Sequence, residues 1–359
     1  MIMIIIGTRP EIIKMAPVIT LCEKENLEYV LVHTNQHFDQ DMSERFLKDL
    51  KIRNPDYNLR IGAGSHGFQT GAALIELEKV MLQENPDIVL VQGDTNTTLA
   101  GALAAVKLNI PVAHIEAGLR SYDWRMPEEH NRRLVDHISS YLFAPTNYTR
   151  EILLKENVWG DIIVTGNTII DACLQYFPVA SQRSNILREI KFTDFCLATM
   201  HRPENVDDKE ILRDLIEVFV DLPYPVVFIV HPRTIKRLKQ YGLLNIVKNS
   251  ENIQMMSPVG YFDILSLIKA CSFIITDSGG IQEEATAPIF QKYSFVIREK
   301  TDRVEAVKTG FAKVVGLNKE HILKSVKDYL KNPPNLNNPS PYGDGNAALR
   351  IIEYLKKKL

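Results

Sequence analysis

The feature that most constrains this chain is a rhythm. Short runs rich in Ile and Val alternate with helix-length amphipathic segments, and the alternation restarts midway. Apolar runs joined by crossovers long enough to hold a helix are the pattern of a parallel sheet, so an α/β fold is expected. In the first half, strands are expected at 2–6, 28–32, 87–92, 111–115, 141–144 and 162–165. Helices are expected at 12–24, 69–84, 97–108 and 134–140. Strands recur at 195–199, 226–230, 253–255, 273–276 and 294–297. At 359 residues the chain exceeds what one core usually supports, which also points to two domains. The pattern loosens over 172–185, around Pro178, where a hinge is expected. A Pro- and Asn-rich linker at 332–345 precedes a helical segment, 347–359. The expected division is 1–172, with 347–359 packing back on it, and 173–346.

Composition narrows the partners. A formal net charge of −2 provides no global basic field for nucleic acid or an anionic membrane, although a local basic pocket remains compatible with it. The apolar run at 2–6 is too short for a signal h-region, and no stretch approaches a membrane span. Cys22, Cys173, Cys196 and Cys271 are scattered among apolar neighbours without paired spacing, so buried free thiols in a reducing cytoplasm are expected.

Polar residues fall repeatedly just after a strand, where open α/β sheets build their sites. Gly7-Thr8-Arg9-Pro10-Glu11 leads into a helix carrying Lys14, placing Arg9 and Lys14 to face one anion; it lacks the ending of a Walker loop. Gly93-Asp94-Thr95, Glu116-Ala117-Gly118-Leu119-Arg120 and Pro127-Glu128-Glu129 put acids on three loops of one edge. Each of these acids read alone is an ordinary cap or dipole partner. In the second half His201-Arg202-Pro203-Glu204-Asn205 and His231-Pro232 follow strands in the same way. No histidine spacing suits a metal, and none is expected. Thr276-Asp277-Ser278-Gly279-Gly280-Ile281-Gln282-Glu283-Glu284 reads as strand, Gly turn and helix start, a pocket suited to a diphosphate.

In this order, GTRPE with Lys14, GDT, EAGLR, PEE with Asn131-Arg132, HRPEN and TDSGGIQEEA closely resemble the motifs of the non-hydrolysing UDP-N-acetylglucosamine 2-epimerases. The resemblance runs from residue 6 to about 315. It implies the GT-B architecture, two Rossmann-like domains with parallel sheets facing across a cleft. It also implies reversible conversion of UDP-GlcNAc to UDP-ManNAc. The anomeric C–O bond breaks first, the C2 proton then leaves to give 2-acetamidoglucal and bound UDP, and both return with C2 inverted. On this resemblance Asp94, Glu116 and Glu128 are the acid/base candidates, with no assignment of which serves which face, and His201 assists departure of the diphosphate. Arg9, Ser278, Gly279, Gly280 and Glu284 bind UDP, and Lys14 supports the diphosphate or the acidic cluster. Val259 and Ile264 flank the uracil, and Arg303 faces the sugar. A homodimer is implied, feeding cell-surface polysaccharide synthesis; no cofactor is implied.

The chain departs from the family's pattern in three places. Residues 287–294 lack a usual Gly-Lys-Pro turn, and Val304 replaces a proline beside Arg303. Gln36 and His37 match the region where bacterial members bind an activating UDP-GlcNAc, but Asp39 and Phe68 stand where glutamine and arginine are common. Losing an arginine removes a phosphate contact, so an altered or weak activator site is expected. The competing readings are a GT-B glycosyltransferase, a hydrolysing 2-epimerase that releases UDP and ManNAc, and a UDP-sugar-binding regulator without turnover.

Overall fold

Apolar runs become strands here because a sheet covered on both faces satisfies the backbone and buries every side chain. The computed structural model describes residues 1–35 and 46–359 and contains two parallel sheets. One compact unit comprises Met1–Ala172 with Tyr342–Leu359, and the other comprises Cys173–Pro341.

In the first unit β1 (Ile2–Ile6), β2 (Tyr29–His33), β3 (Tyr57–Asn58), β4 (Ile88–Gln92), β5 (Val112–Ile115), β6 (Tyr141–Ala144) and β7 (Asp161–Val164) are ordered 3-2-1-4-5-6-7. Between them run α1 (Arg9–Lys24), α2 (His66–Glu84), α3 (Asn96–Lys107), α4 (Pro127–Ile138) and α5 (Asn147–Lys155), and α6 (Thr168–Arg183) follows. Ile2 pairs with both Tyr29 and Ile88, and Gln92 lies opposite Ile115, so the carboxyl tips of neighbouring strands line up. All side chains of β1 and β4 are buried. Strand order reverses between β1 and β4, so the loops after them diverge and open a crevice, the usual ligand position of such sheets. Gly7–Glu11 and Gly93–Asp94 occupy those two loops.

The second unit repeats the plan. Strands β8 (Cys196–Met200), β9 (Val226–Val230), β10 (Ile253–Met256), β11 (Phe273–Thr276), β12 (Ser294–Val296) and β13 (Ala312–Val314) are ordered 10-9-8-11-12-13. Its helices are α7 (Pro203–Val206), α8 (Lys209–Asp221), α9 (Pro232–Gln240), α10 (Leu244–Asn249), α11 (Tyr261–Ala270), α12 (Gly279–Ala285), α13 (Val304–Lys308) and α14 (Lys319–Lys331). The reversal falls between β8 and β11, the strands that precede His201 and Asp277. Phe219, Phe228, Phe273 and Phe295 fill the core around this sheet.

Three local expectations change. The hinge expected over 172–185 is helical: α6 runs through it, and the chain passes between units inside that helix. Ile169, Ile170, Cys173, Tyr176 and Ala180 give it a buried face at helical spacing, and Pro178 lies on the exposed side, where the missing N–H is best tolerated. Strands β3 and β13, too short to show as apolar runs, were not expected. Within the linker expected at 332–345 the chain re-enters the first unit at Tyr342, which is fully buried and whose carbonyl accepts from the Asn167 N–H at 2.8 Å.

The last helix, α15 (Ala347–Leu355), packs along α1 in the first unit. Asp171 on α6 caps it, accepting from the N–H groups of Ala347 (3.2 Å) and Ala348 (2.8 Å). Tyr354 sets its ring edge against Phe143 and Tyr141. The four cysteines are buried and form no disulfide. Among the described residues, no helix is long and apolar enough to cross a membrane.

Candidate active site

The first unit places Arg9, Lys14, Asp94, Glu116 and Glu128 on loops and helix starts at the carboxyl edge of its sheet. Gly7 permits the turn after β1: a Cβ there would lie 2.2 Å from Thr97 Oγ1 and 2.5 Å from Thr34 Oγ1. The turn is closed by Glu11, whose buried carboxylate accepts from the N–H groups of Gly7 (2.6 Å) and Thr8 (2.7 Å) and from Thr95 Oγ1 (2.5 Å). Burial raises the Glu11 carboxyl despite these donors. Glu11 thus pins the β1 loop to the β4 loop. Arg9 extends from the same turn with its guanidinium over the Phe46 ring.

Glu116 follows β5 with φ at 72°, in the left-handed region that a non-glycine residue seldom occupies. Such strain persists where surrounding structure over-determines it, and functional sites are the usual place. Here Lys14 Nζ and Gln92 Nε2 both reach Glu116 Oε2 at 2.5 Å, all three side chains being buried. Asp94, one loop away, receives Arg132 Nε at 2.8 Å and Nη2 at 2.7 Å on Oδ2, while Asn131 donates to its carbonyl at 2.9 Å. Arg132 and Asn131 belong to α4, which begins at Pro127, so Glu128 lies in the first turn of the helix that holds Asp94.

The two acids of the PEE motif have different fates. Glu129 is fully buried and accepts from the Ser121 N–H and hydroxyl at 2.8 and 3.0 Å, bracing the loop. Glu128 is half-buried and makes no ion pair or hydrogen bond with the described residues. The three candidate carboxylates thus lie on one sheet edge with two held by cations and one open. A cavity of about 530 Å³ in this unit is lined by His66, Asn96, Trp124, Pro127, His130 and Asn131. It borders the residues that hold Asp94 but is not itself lined by the three acids.

In the second unit Asp277 organises the edge. Its Oδ2 accepts from the N–H groups of His201 (2.9 Å) and Arg202 (2.8 Å) and from Asn205 Nδ2 (3.0 Å). His201 Nδ1 stands 3.0 Å from Oδ1, near enough to pair but off the line of a well-aligned hydrogen bond. Burial alone would raise the Asp277 carboxyl; His201 and the two backbone donors outweigh it and hold it below the usual carboxylate range. The result is a half-exposed imidazole anchored on a buried anion. The His231 ring lies 5.4 Å away; its Nδ1 accepts from the Arg233 N–H as it caps α9. Burial, then the neighbouring His201, lowers its proton affinity.

Ser278, Gly279 and Gly280 start α12 just beyond Asp277, with the Ser278 side chain making no cap bond. Beneath Gly279 sits Arg303, whose guanidinium carbon would be 3.4 Å from a Cβ there. Arg303 is buried, with Nε 2.5 Å from Glu283 and Nη1 3.0 Å from Asp302, so its first contacts lie within this unit. Glu284 is buried one residue on, and Val259 and Ile264 are half-buried on either side of the start of α11. Gln36, His37 and Asp39 lie outside the described residues; Phe68 is 56% exposed on α2.

The supporting side chains were less legible than the candidates. Glu11 stood in the GTRPE motif without a role assigned to it, and neither its bonds to the Gly7 and Thr8 N–H groups nor its bond to Thr95 was read from the sequence. Gln92, Asp136 and His114 carry no local signal.

Two doubly wound parallel sheets, each with its polar loops at its own switch point, define an α/β protein of GT-B architecture. Comparison with known proteins resolves this further. The family model for UDP-N-acetylglucosamine 2-epimerase matches residues 20–356. The UDP-N-acetylglucosamine 2-epimerase of Methanocaldococcus jannaschii is 47% identical over 98% of both chains. A crystal structure of the M. jannaschii UDP-GlcNAc 2-epimerase, in complex with UDP-GlcNAc and UDP, superimposes with a TM-score of 0.91 over 99% of both chains. The UDP-2,3-diacetamido-2,3-dideoxy-D-glucuronate 2-epimerase of Pseudomonas aeruginosa is 40% identical over 99% of each. The chain belongs to the UDP-N-acetylglucosamine 2-epimerase family.

Proposed function

We propose that this protein is a non-hydrolysing UDP-GlcNAc 2-epimerase that interconverts UDP-GlcNAc and UDP-ManNAc. The observation that carries the reading is the grouping of Asp94, Glu116 and Glu128 on one sheet edge, in a chain whose 47% identical relative is a UDP-GlcNAc 2-epimerase.

The C2 hydrogen of the sugar has no adjacent carbonyl, so its direct removal is very slow. Breaking the C1–O bond first sends the electron pair to the UDP oxygen and leaves an oxocarbenium-like sugar whose C2 proton is far more acidic. A carboxylate takes that proton, the C2–H electron pair forms C1=C2, and 2-acetamidoglucal with bound UDP results. Protonation at C2 from the other face and return of UDP to C1 complete the inversion. In the second unit His201, anchored by Asp277, and the N–H groups at Ser278–Gly280 stabilise the departing diphosphate, and Arg9 is a UDP ligand. Glu284 takes the ribose, Val259 and Ile264 flank the uracil, and Arg303 serves the sugar end. Asp94, Glu116 and Glu128 supply the acid/base groups for the two faces of C2, and Lys14 holds Glu116 in place.

The enzyme works in the cytoplasm as a homodimer, and its product feeds cell-surface polysaccharide synthesis. An exposed stripe on α2, Phe68, Ile75 and Leu82, supports a second copy as partner. Activation by a second UDP-GlcNAc is weak, because Phe68 offers no charge to a phosphate. The P. aeruginosa relative favours a second reading of the substrate alone, a UDP-2-acetamido sugar carrying further substituents at C3 and C6, with the same chemistry at C2.

Incubation with UDP-GlcNAc in D2O, followed by NMR, tests the proposal. UDP-ManNAc with deuterium at C2 and no early free sugar is expected. UDP with free ManNAc instead marks the hydrolysing reaction, and turnover of the diacetamido uronate alone marks the second substrate reading. Bound UDP without any turnover ends the enzyme reading.

A further inference from the structure

Resting on that reading, we propose that Asp136 is a positioning residue that holds the loops of Asp94, Glu116 and Glu128 in one register. Asp136 lies in α4 and is fully buried. Its Oδ1 is 2.7 Å from His114 Nδ1; its Oδ2 is 2.7 Å from Arg120 Nη2 and accepts from the Gly118 N–H at 3.2 Å. His114 belongs to β5, and Gly118 and Arg120 belong to the loop that follows Glu116.

His114, in β5 just before Glu116, turns its other nitrogen to the carbonyl of Gly93 at 2.8 Å. A carbonyl oxygen has no proton to give, so Nε2–H donates and fixes the peptide that precedes Asp94. Gly118, two residues beyond Glu116, has φ at 85°, and a Cβ there would lie 2.6 Å from the Thr149 carbonyl, so the loop has one narrow path. Arg120 closes the same loop and is clamped on its far side by Glu156, Nη2 to Oε2 at 2.6 Å. The helix that carries Asp136 also begins with Glu128 and gives Asn131 and Arg132 to Asp94. One carboxylate therefore reaches the Asp94 loop through His114 and both sides of Glu116 through His114 and Gly118, and it shares a rigid helix with Glu128.

Asp136, His114 and Arg120 are all buried, so they act through other residues. A buried charge network is a poor route to stability alone, because apolar side chains of the same volume serve as well or better. What it provides is directional: each bond admits one placement of its loop, and an acid/base group displaced by about 1 Å loses roughly 100-fold in rate.

The test uses the full chain with Asp136→Asn and His114→Gln. Ile351→Ala, which opens the core of the same unit at α15, is the control for destabilisation alone. For both network variants kcat is expected to fall roughly 100-fold while KM and UDP affinity stay within about threefold. Amide exchange over residues 93–96 and 116–121 rises in the same variants. The control loses thermal stability but keeps kcat below its transition. If Asp136→Asn does not fold, His114→Gln decides: its amide still reaches Gly93 but no longer ties it to Asp136. A kcat within about twofold of wild type, or unchanged exchange in both loops, overturns the proposal. Absence of turnover in the wild-type enzyme fails the epimerase reading by itself, and the exchange data then judge Asp136 independently.

Discussion

Replacing Lys14 by Met is expected to destabilise the first unit far more than replacing both members of its ion pair. Lys14 and Glu116 meet at 2.5 Å with side chains 8% and 5% exposed, so neither charge has water to fall back on. At an effective dielectric of about 20, unit charges this close attract by roughly 7 kcal/mol, most of which offsets the cost of taking both out of water. Lys14→Met deletes the attraction and leaves the desolvation of Glu116 in place, for a loss of about 3–5 kcal/mol. In a unit of this size that lowers Tm by on the order of 10 °C. In Lys14→Met/Glu116→Gln the buried charge is gone as well, Gln92 can still hydrogen-bond to the new amide, and most of the loss should be recovered. Activity should not recover, because the variant also lacks one of the three proposed acid/base carboxylates. Urea unfolding monitored for each of the four proteins of the cycle gives the coupling, and C2-proton exchange in D2O gives the activity. If the double variant is as unstable as the sum of the singles, the pair is not coupled and the account of Glu116 is wrong.

Other outcomes follow from packing and charge. Gly7→Ala drives a methyl onto the hydrogen-bonded pair Thr34–Thr97 (2.7 Å), and overpacking with loss of that bond should cost about 2–4 kcal/mol; calorimetry showing an unchanged transition would refute it. Burial pushes Asp171 up to about 6 from an ordinary 3.8. The folded state therefore holds a proton that the unfolded chain releases between these values. The contribution of this group to stability is fully present below about 3.8 and lost as pH rises through about 6. Asp171→Asn should flatten that slope, seen by comparing Tm at pH 4 and pH 7; identical slopes in both proteins would count against a raised Asp171.

Much of the scaffold was legible because burial on both faces writes itself as uninterrupted Ile and Val. The runs at 2–6, 141–144, 226–230 and 273–276 become strands with those ends. β3 and β13 were not legible, since a two- or three-residue edge strand with Asn58 or an exposed Lys313 has no such signature. Pro178 misled in the opposite direction: a local breaker was outweighed by a buried helical face whose cost and benefit depend on which side the proline occupies. At the site, Asp94 and Glu116 stood out as acids after strands and Glu128 as an acid at a helix start. The groups that aim them did not. Glu11, Gln92, His114 and Asp136 meet partners up to 87 residues away, and a single chain carries no periodicity that reports such meetings. The left-handed backbone of Glu116 was equally hidden, since residue type there argues against it.

The return of α15 to the first unit bears on the order in which the protein can be made. Residues 342–359 leave the ribosome only after the whole of the second unit, which is continuous and free to fold as it emerges. Until then Asp171 lacks the N–H groups of Ala347 and Ala348 that it caps, and Phe143 and Tyr141 lack the Tyr354 ring. The unit bearing the three carboxylates is thus made in two pieces, one before and one after the second unit. A nascent chain that has emerged through Pro341 and no further has the whole of the second unit and a first unit still short of α15.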